Sequence, residues 1–133
     1  MVQAWLVKAQ RDLASAQRLS EGGDPLLDTA AYHCQQAAEK AIKAFLVFRD
    51  VRVRKTHDLE ELVAETTTLT PDYAEMTDAA KRVTEYATVF RYPGMQIEPM
   101  QAEYEQAYQD ASAFFSVALV LIPAEAHPAK YAT

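Results

Sequence analysis

The chain has 133 residues, half of them hydrophobic, with a net charge of -6 and a sequence pI near 5.0. That length suits one domain with a single core, and the acidic balance argues against a surface that coats nucleic acid broadly. One cysteine cannot make an internal disulfide, no apolar leader opens the sequence, and no stretch is long and apolar enough to span a membrane. The expected protein is soluble and cytoplasmic.

Only 3 glycines occur, and the abundant Ala, Glu, Gln and Leu favour helix. The first helix is predicted over about Gln3 to Ser20, with Trp5, Leu6, Ala9, Leu13, Ala16 and Leu19 at helical spacing. Gly22 and Gly23 stop it. Asp24 then reads as an N-cap and Pro25 as the first residue of a second helix reaching about Asp50. In that helix Cys34, Ala38, Ala41, Ile42, Phe45 and Phe48 make an apolar stripe. His33, Gln36, Lys40 and Lys43 make a polar one. The polar stripe reads either as a solvent face or as a dimer face or the floor of a nucleotide groove. The alanines at 37, 38, 41 and 44 allow another helix to approach closely.

A short basic connector, Val51 to Lys55, follows. Thr56 reads as the N-cap of a third helix with His57, Asp58, Glu60 and Glu61 in its first turns, ending near Thr66-Thr67-Thr68. Thr70-Pro71 repeats the cap-and-proline signature for a fourth helix that runs to about Phe90 and stops before Pro93-Gly94. A fifth runs from about Pro99 to Leu121, and Pro123 ends it. Residues 1–122 are therefore expected to form an all-α, up-and-down bundle of about five helices, with 123–133 a loose tail.

Short connectors favour antiparallel neighbours. The end of the fourth helix, with Arg91, is then expected beside Arg52, Arg54, Lys55 and His57 at one end of the bundle. His57 reads either as an ordinary helix-start residue bonding a nearby carboxylate or as a chemical group. Arg91 reads as a C-terminal helix cation or a phosphate contact. Cys34 is expected in the core. His33, His57 and His127 lack metal-ligand spacing, and no glycine-rich phosphate loop occurs.

A first helix reading W-x3-A-x2-DLxxA, then AYHCQQAAEKAIKAFLVFRD, RKTHDLEEL and RYPG, together resemble the HEPN domain, over about Trp5 to Ile122. The resemblance implies an all-α bundle, a homodimer, and for many prokaryotic members a minimal nucleotidyltransferase partner in a toxin–antitoxin pair. Active members are metal-independent RNases whose motif is an arginine followed, after four to six residues, by a histidine. Arg52 and His57, with four residues between them, match it. The implied catalytic pair is Arg52 and His57, with Arg54, Lys55, Arg91, Lys40 and Lys43 as substrate or nucleotide contacts, and no metal or cofactor. Leu59 stands where some members carry a tyrosine that the partner transferase modifies with AMP. The alternative is a non-catalytic module that binds a nucleotide or docks the transferase. RNA cleavage suits these residue types. Histidine gives or takes a proton near neutral pH, and arginine forks onto phosphate oxygens.

Overall fold

The computed structural model describes residues 1–53, 55–89, 93 and 98–129. Among them are five α-helices and no strand: α1 (Val2–Leu19), α2 (Leu27–Phe48), α3 (Leu59–Thr66), α4 (Thr77–Val89) and α5 (Gln101–Leu121). The architecture is the expected all-α bundle.

The periodicity of α1 buries Leu6, Ala9, Leu13 and Ala16, with Trp5 and Leu19 at the margin. α2 is the central helix and packs on α1, α5, α4 and α3. Ala37, Ala38, Ala41 and Ala44 are wholly buried, and their small side chains let α1 and α5 close in on it. Cys34 is buried there too, and burial pushes its thiol pKa up to about 12. The centre of the core is aromatic: Tyr73 lies between Phe45 and Phe114, each with its ring centroid 5.9 Å away. Its hydroxyl donates to the Phe114 carbonyl at 3.4 Å.

Three predicted helix starts move. α2 begins at Leu27, not Pro25, and its N-cap Leu26 makes no side-chain cap bond. The preceding chain instead ties back through Leu26 N–H to the Leu19 carbonyl at 2.8 Å. α4 begins at Thr77, not Pro71. The intervening residues form a turn and a 3-10 segment, Ala74–Met76, that delivers Tyr73 inward. α3 is capped by Asp58, whose carboxylate accepts from Glu61 N–H at 3.2 Å. Thr56 forms a local turn instead, its hydroxyl accepting from Asp58 N–H at 3.0 Å. His57 therefore precedes the helix rather than lying in its first turn.

α2 ends in the paired 6→1 and 5→2 hydrogen bonds of a left-handed C-terminal turn. Val51 N–H bonds the Leu46 carbonyl and Asp50 N–H the Val47 carbonyl, both at 2.9 Å, with Asp50 at φ 61°. At the other terminus the described part of the tail is docked, not loose. A 3-10 turn spans Ala124–Ala126, the His127 carbonyl accepts from the Gln3 side chain at 2.7 Å, and Pro128 is buried.

Candidate functional site

The left-handed turn at Asp50 reverses the chain, and the described residues of the connector that follows hold no helix. It runs back along α2. Val51 is tied to Leu46, but His57 has already reached the level of Gln35 and Glu39. The Gln35 side chain approaches the His57 carbonyl at 3.5 Å, and the His57 ring bonds Glu39. His57 thus sits halfway along the central helix rather than at the bundle end where the helix order alone put it.

Its Nδ1 lies 2.8 Å from Glu39 Oε1. The Glu39 side chain is 4% exposed, that of His57 80%. Lys43 Nζ reaches the same Oε1 at 2.9 Å, and Gln35 Nε2 reaches Oε2 at 3.1 Å. A carboxylate held by an ammonium is ionised and only accepts. Nδ1 must therefore carry the proton that it donates to Glu39, which leaves Nε2 as the working nitrogen of a ring that projects into solvent. The buried charge is offset locally by Lys43, as an enclosed carboxylate requires.

His57 borders a cleft of about 500 Å³ between α2 and α4, lined also by Tyr32, Gln35, Gln36, Thr84, Ala87, Thr88 and Pro93. The end of α4 therefore does return to His57, as antiparallel order predicts. Arg91 itself, with Arg54, lies outside the described residues. Arg52 does not share this cleft. It is exposed, with Lys55, in a separate recess bounded by Val51, Val53 and Glu65.

Lys43 and Lys40 are not free cations on a solvent stripe. Lys43 is buried in its pair with Glu39, and its ammonium lies 5.8 Å from the centre of the Trp5 ring. Lys40 Nζ bonds Asp12 Oδ2 at 2.6 Å, while His33 Nδ1 meets Asp12 Oδ1 at 2.8 Å. The predicted polar stripe is thus largely consumed in tying α2 to α1 and to the connector.

Sequence reasoning passed over Glu39, Gln35, Thr84 and Asp12. A signal for Glu39 existed. It occurs four residues after Gln35 and four before Lys43, with Ala37, Ala38, Ala41 and Ile42 close by in the same helix. A carboxylate there has to find partners. Among the described residues, no group of His, Cys, Asp and Glu could hold a metal ion, and no helix is long and apolar enough to cross a membrane.

The described residues thus form an all-helical bundle with the carboxylate-bonded His57 at the rim of a cleft. The HEPN domain model matches residues 2–121, and the chain belongs to that family. The structure is similar to the crystal structure of TT1696 from Thermus thermophilus, at 25% identity and a TM-score of 0.73, covering 91% of this chain and 98% of that one. It is also similar to ST0689, described as an archaeal HEPN homologue, at 30% identity and a TM-score of 0.55, covering 91% of each chain. Comparison with curated proteins gives no match.

Proposed function

We propose that this HEPN protein is a metal-independent endoribonuclease that works as a homodimer, as the toxin of a module whose other member is a minimal nucleotidyltransferase. The observation that carries the reading is the held imidazole: a buried, ion-paired Glu39 fixes the tautomer of a histidine whose other nitrogen faces solvent at the rim of a cleft.

The reaction follows from the groups. The 2′-hydroxyl of RNA attacks the adjacent phosphorus. The 2′-O–P bond forms and the P–O5′ bond breaks, leaving a 2′,3′-cyclic phosphate and a 5′-hydroxyl. His57 Nε2 takes the 2′ proton, and the protonated His57 of a second copy gives a proton to O5′. Arg52 supplies fixed positive charge to the phosphate oxygens as the phosphorane forms. Glu39 holds each ring in place and stabilises the imidazolium that forms in the transition state, the part a carboxylate plays behind a catalytic histidine generally.

The test is RNA cleavage by purified protein in the presence of a chelator. The expected products carry cyclic phosphate ends, and His57→Ala and Arg52→Ala each lower the rate by roughly 10²-fold or more. Intact RNA, or unchanged cleavage by His57→Ala, overturns the reading. One observation favours the alternative, a non-catalytic module that docks a nucleotidyltransferase: within one chain, Arg52 and His57 open onto different recesses. Tight co-purification with a small transferase, together with intact RNA, would decide for it.

A further inference from the structure

The Glu39, Lys43 and His57 cluster is completed from α1. The Lys43 side chain is almost wholly enclosed, and its ammonium meets groups of two kinds. One is Glu39 Oε1, at 2.9 Å. The other is the ring of Trp5, with the ammonium 5.8 Å over its centre. A cation over an aromatic face is held by the ring quadrupole, and more strongly where water is excluded. Trp5 is the one tryptophan in the chain, half-buried against the core.

Antiparallel pairing brings the two together. Asp12 of α1 bonds both His33 and Lys40 of α2. Two turns earlier on α1, Trp5 meets Lys43, which lies further along α2 in the opposite sense. α1 thus answers one lysine with a carboxylate and the next with a ring. A carboxylate at position 5 would accept from the ammonium and compete with Glu39 for it. Tryptophan only donates, so its ring attracts the cation and leaves the Lys43 N–H groups to Glu39.

We propose that Trp5 is a positioning residue for the His57 imidazole. Its ring keeps the Lys43 ammonium against Glu39. The ammonium keeps Glu39 ionised, and the carboxylate keeps the His57 proton on Nδ1. Trp5 does this from another helix and without touching a substrate. It also lines an outer recess of about 200 Å³ with Met1, Ala4 and Lys8. Without the ring, water from that side reaches the ammonium and weakens its hold on Glu39. The proposal rests on the nuclease reading only for the rate that it predicts. The tautomer of His57 does not depend on cleavage.

The experiment compares the full chain with Trp5→Phe, Trp5→Leu and Trp5→Glu, each checked for folding by circular dichroism. The first keeps an aromatic face, the second keeps apolar cover without one, and the third adds a competing acceptor. The NMR shifts of the two His57 ring nitrogens, recorded above the pH at which the ring becomes neutral, read which nitrogen holds the proton. Wild type and Trp5→Phe should hold it on Nδ1. Trp5→Leu and Trp5→Glu should each raise the Nε2–H fraction about threefold to tenfold. RNA cleavage should follow, with kcat lowered by a similar factor, KM within about twofold, and Trp5→Phe close to wild type. An unchanged tautomer in a folded Trp5→Leu or Trp5→Glu chain overturns the proposal. So does a Trp5→Phe chain as disturbed as Trp5→Leu, because bulk rather than the ring face would then be what matters. If the wild type cuts no RNA while the tautomer still follows the ring, the nuclease reading falls and the positioning role stands.

Discussion

Replacing Glu39 with Gln keeps the side-chain volume and removes one charge. It leaves the Lys43 ammonium, whose side chain is only 7% exposed, without its counter-ion. Breaking a buried pair by removing one partner costs about 3–5 kcal/mol. The lower end applies here, because the new amide still offers Lys43 a carbonyl oxygen. Unfolding entropy of about 2.1 cal/mol/K per residue, over 133 residues, is about 0.28 kcal/mol/K. A loss of ~3 kcal/mol therefore lowers Tm by about 11 °C, which thermal unfolding followed by circular dichroism reads directly. Lys43→Met alone should also destabilise, since it leaves the Glu39 charge buried. The double variant Glu39→Gln/Lys43→Met removes both charges and should return to within about 1 kcal/mol of the wild type, as neutral replacement of a whole buried pair commonly does. If the proposed nuclease reading holds, RNA cleavage should not return with it, because the carboxylate that supports the His57 imidazolium is gone. If the double variant is as unstable as the sum of the two singles, the pair is not coupled and the account of Glu39 is wrong.

Two other residues give separate checks. The Cys34 pKa is raised from 9.0 to about 12 in the folded chain. The thiol of the unfolded chain thus ionises first. The stabilisation is complete below pH 9 and is lost as pH rises toward 12, by up to about 1.4 kcal/mol per pH unit. The stability difference between wild type and Cys34→Ala should accordingly shrink by about 1 kcal/mol between pH 9 and pH 10 in denaturant titrations, and a constant difference would contradict it. Asp50 holds φ 61° at the end of α2, a conformation that costs a non-glycine residue roughly 1 kcal/mol. Asp50→Gly should stabilise by about 0.5–1 kcal/mol at the denaturation midpoint, and a loss of stability would mean that the carboxylate does more than occupy the turn.

The helices were legible because their apolar spacing follows the core. α1 and α5 are close to their predicted bounds, and the four small residues of α2 lie where close packing needs them. The starts of α2, α3 and α4 were less legible, since good capping residues occur more often than caps. Asp24, Thr56 and Thr70 all precede a helix by several residues, and tertiary demands set the true start: the Leu26 tie to Leu19, the His57 contact with α2, and the burial of Tyr73. The site was half legible. Its histidine stands out in the sequence, but the residue that aims it lies 18 positions earlier on another element, and no local pattern joins the two. Lys40 and Lys43 misled for the related reason that a helical stripe of cations looks the same whether it faces water or buried carboxylates.

The position of Arg52 bears on how many copies the chemistry needs. Arg52 and His57 are five apart, and they face separate recesses. The axial offset is also considerable: Val51 is tied to Leu46 and His57 to Glu39, seven residues of helix apart, or about 10 Å at 1.5 Å per residue. A phosphate contacted by both groups must bring each within about 3 Å of its oxygens. One chain in this conformation opens the two groups onto different recesses, whereas on the proposed dimeric reading a second copy laid against the open side of the His57 cleft brings its own cations toward that histidine. The same separation that weakens a one-chain nuclease is what a two-chain nuclease would use. On the proposed reading, a monomer held apart by interface substitutions, and still folded by circular dichroism, should therefore cut no RNA.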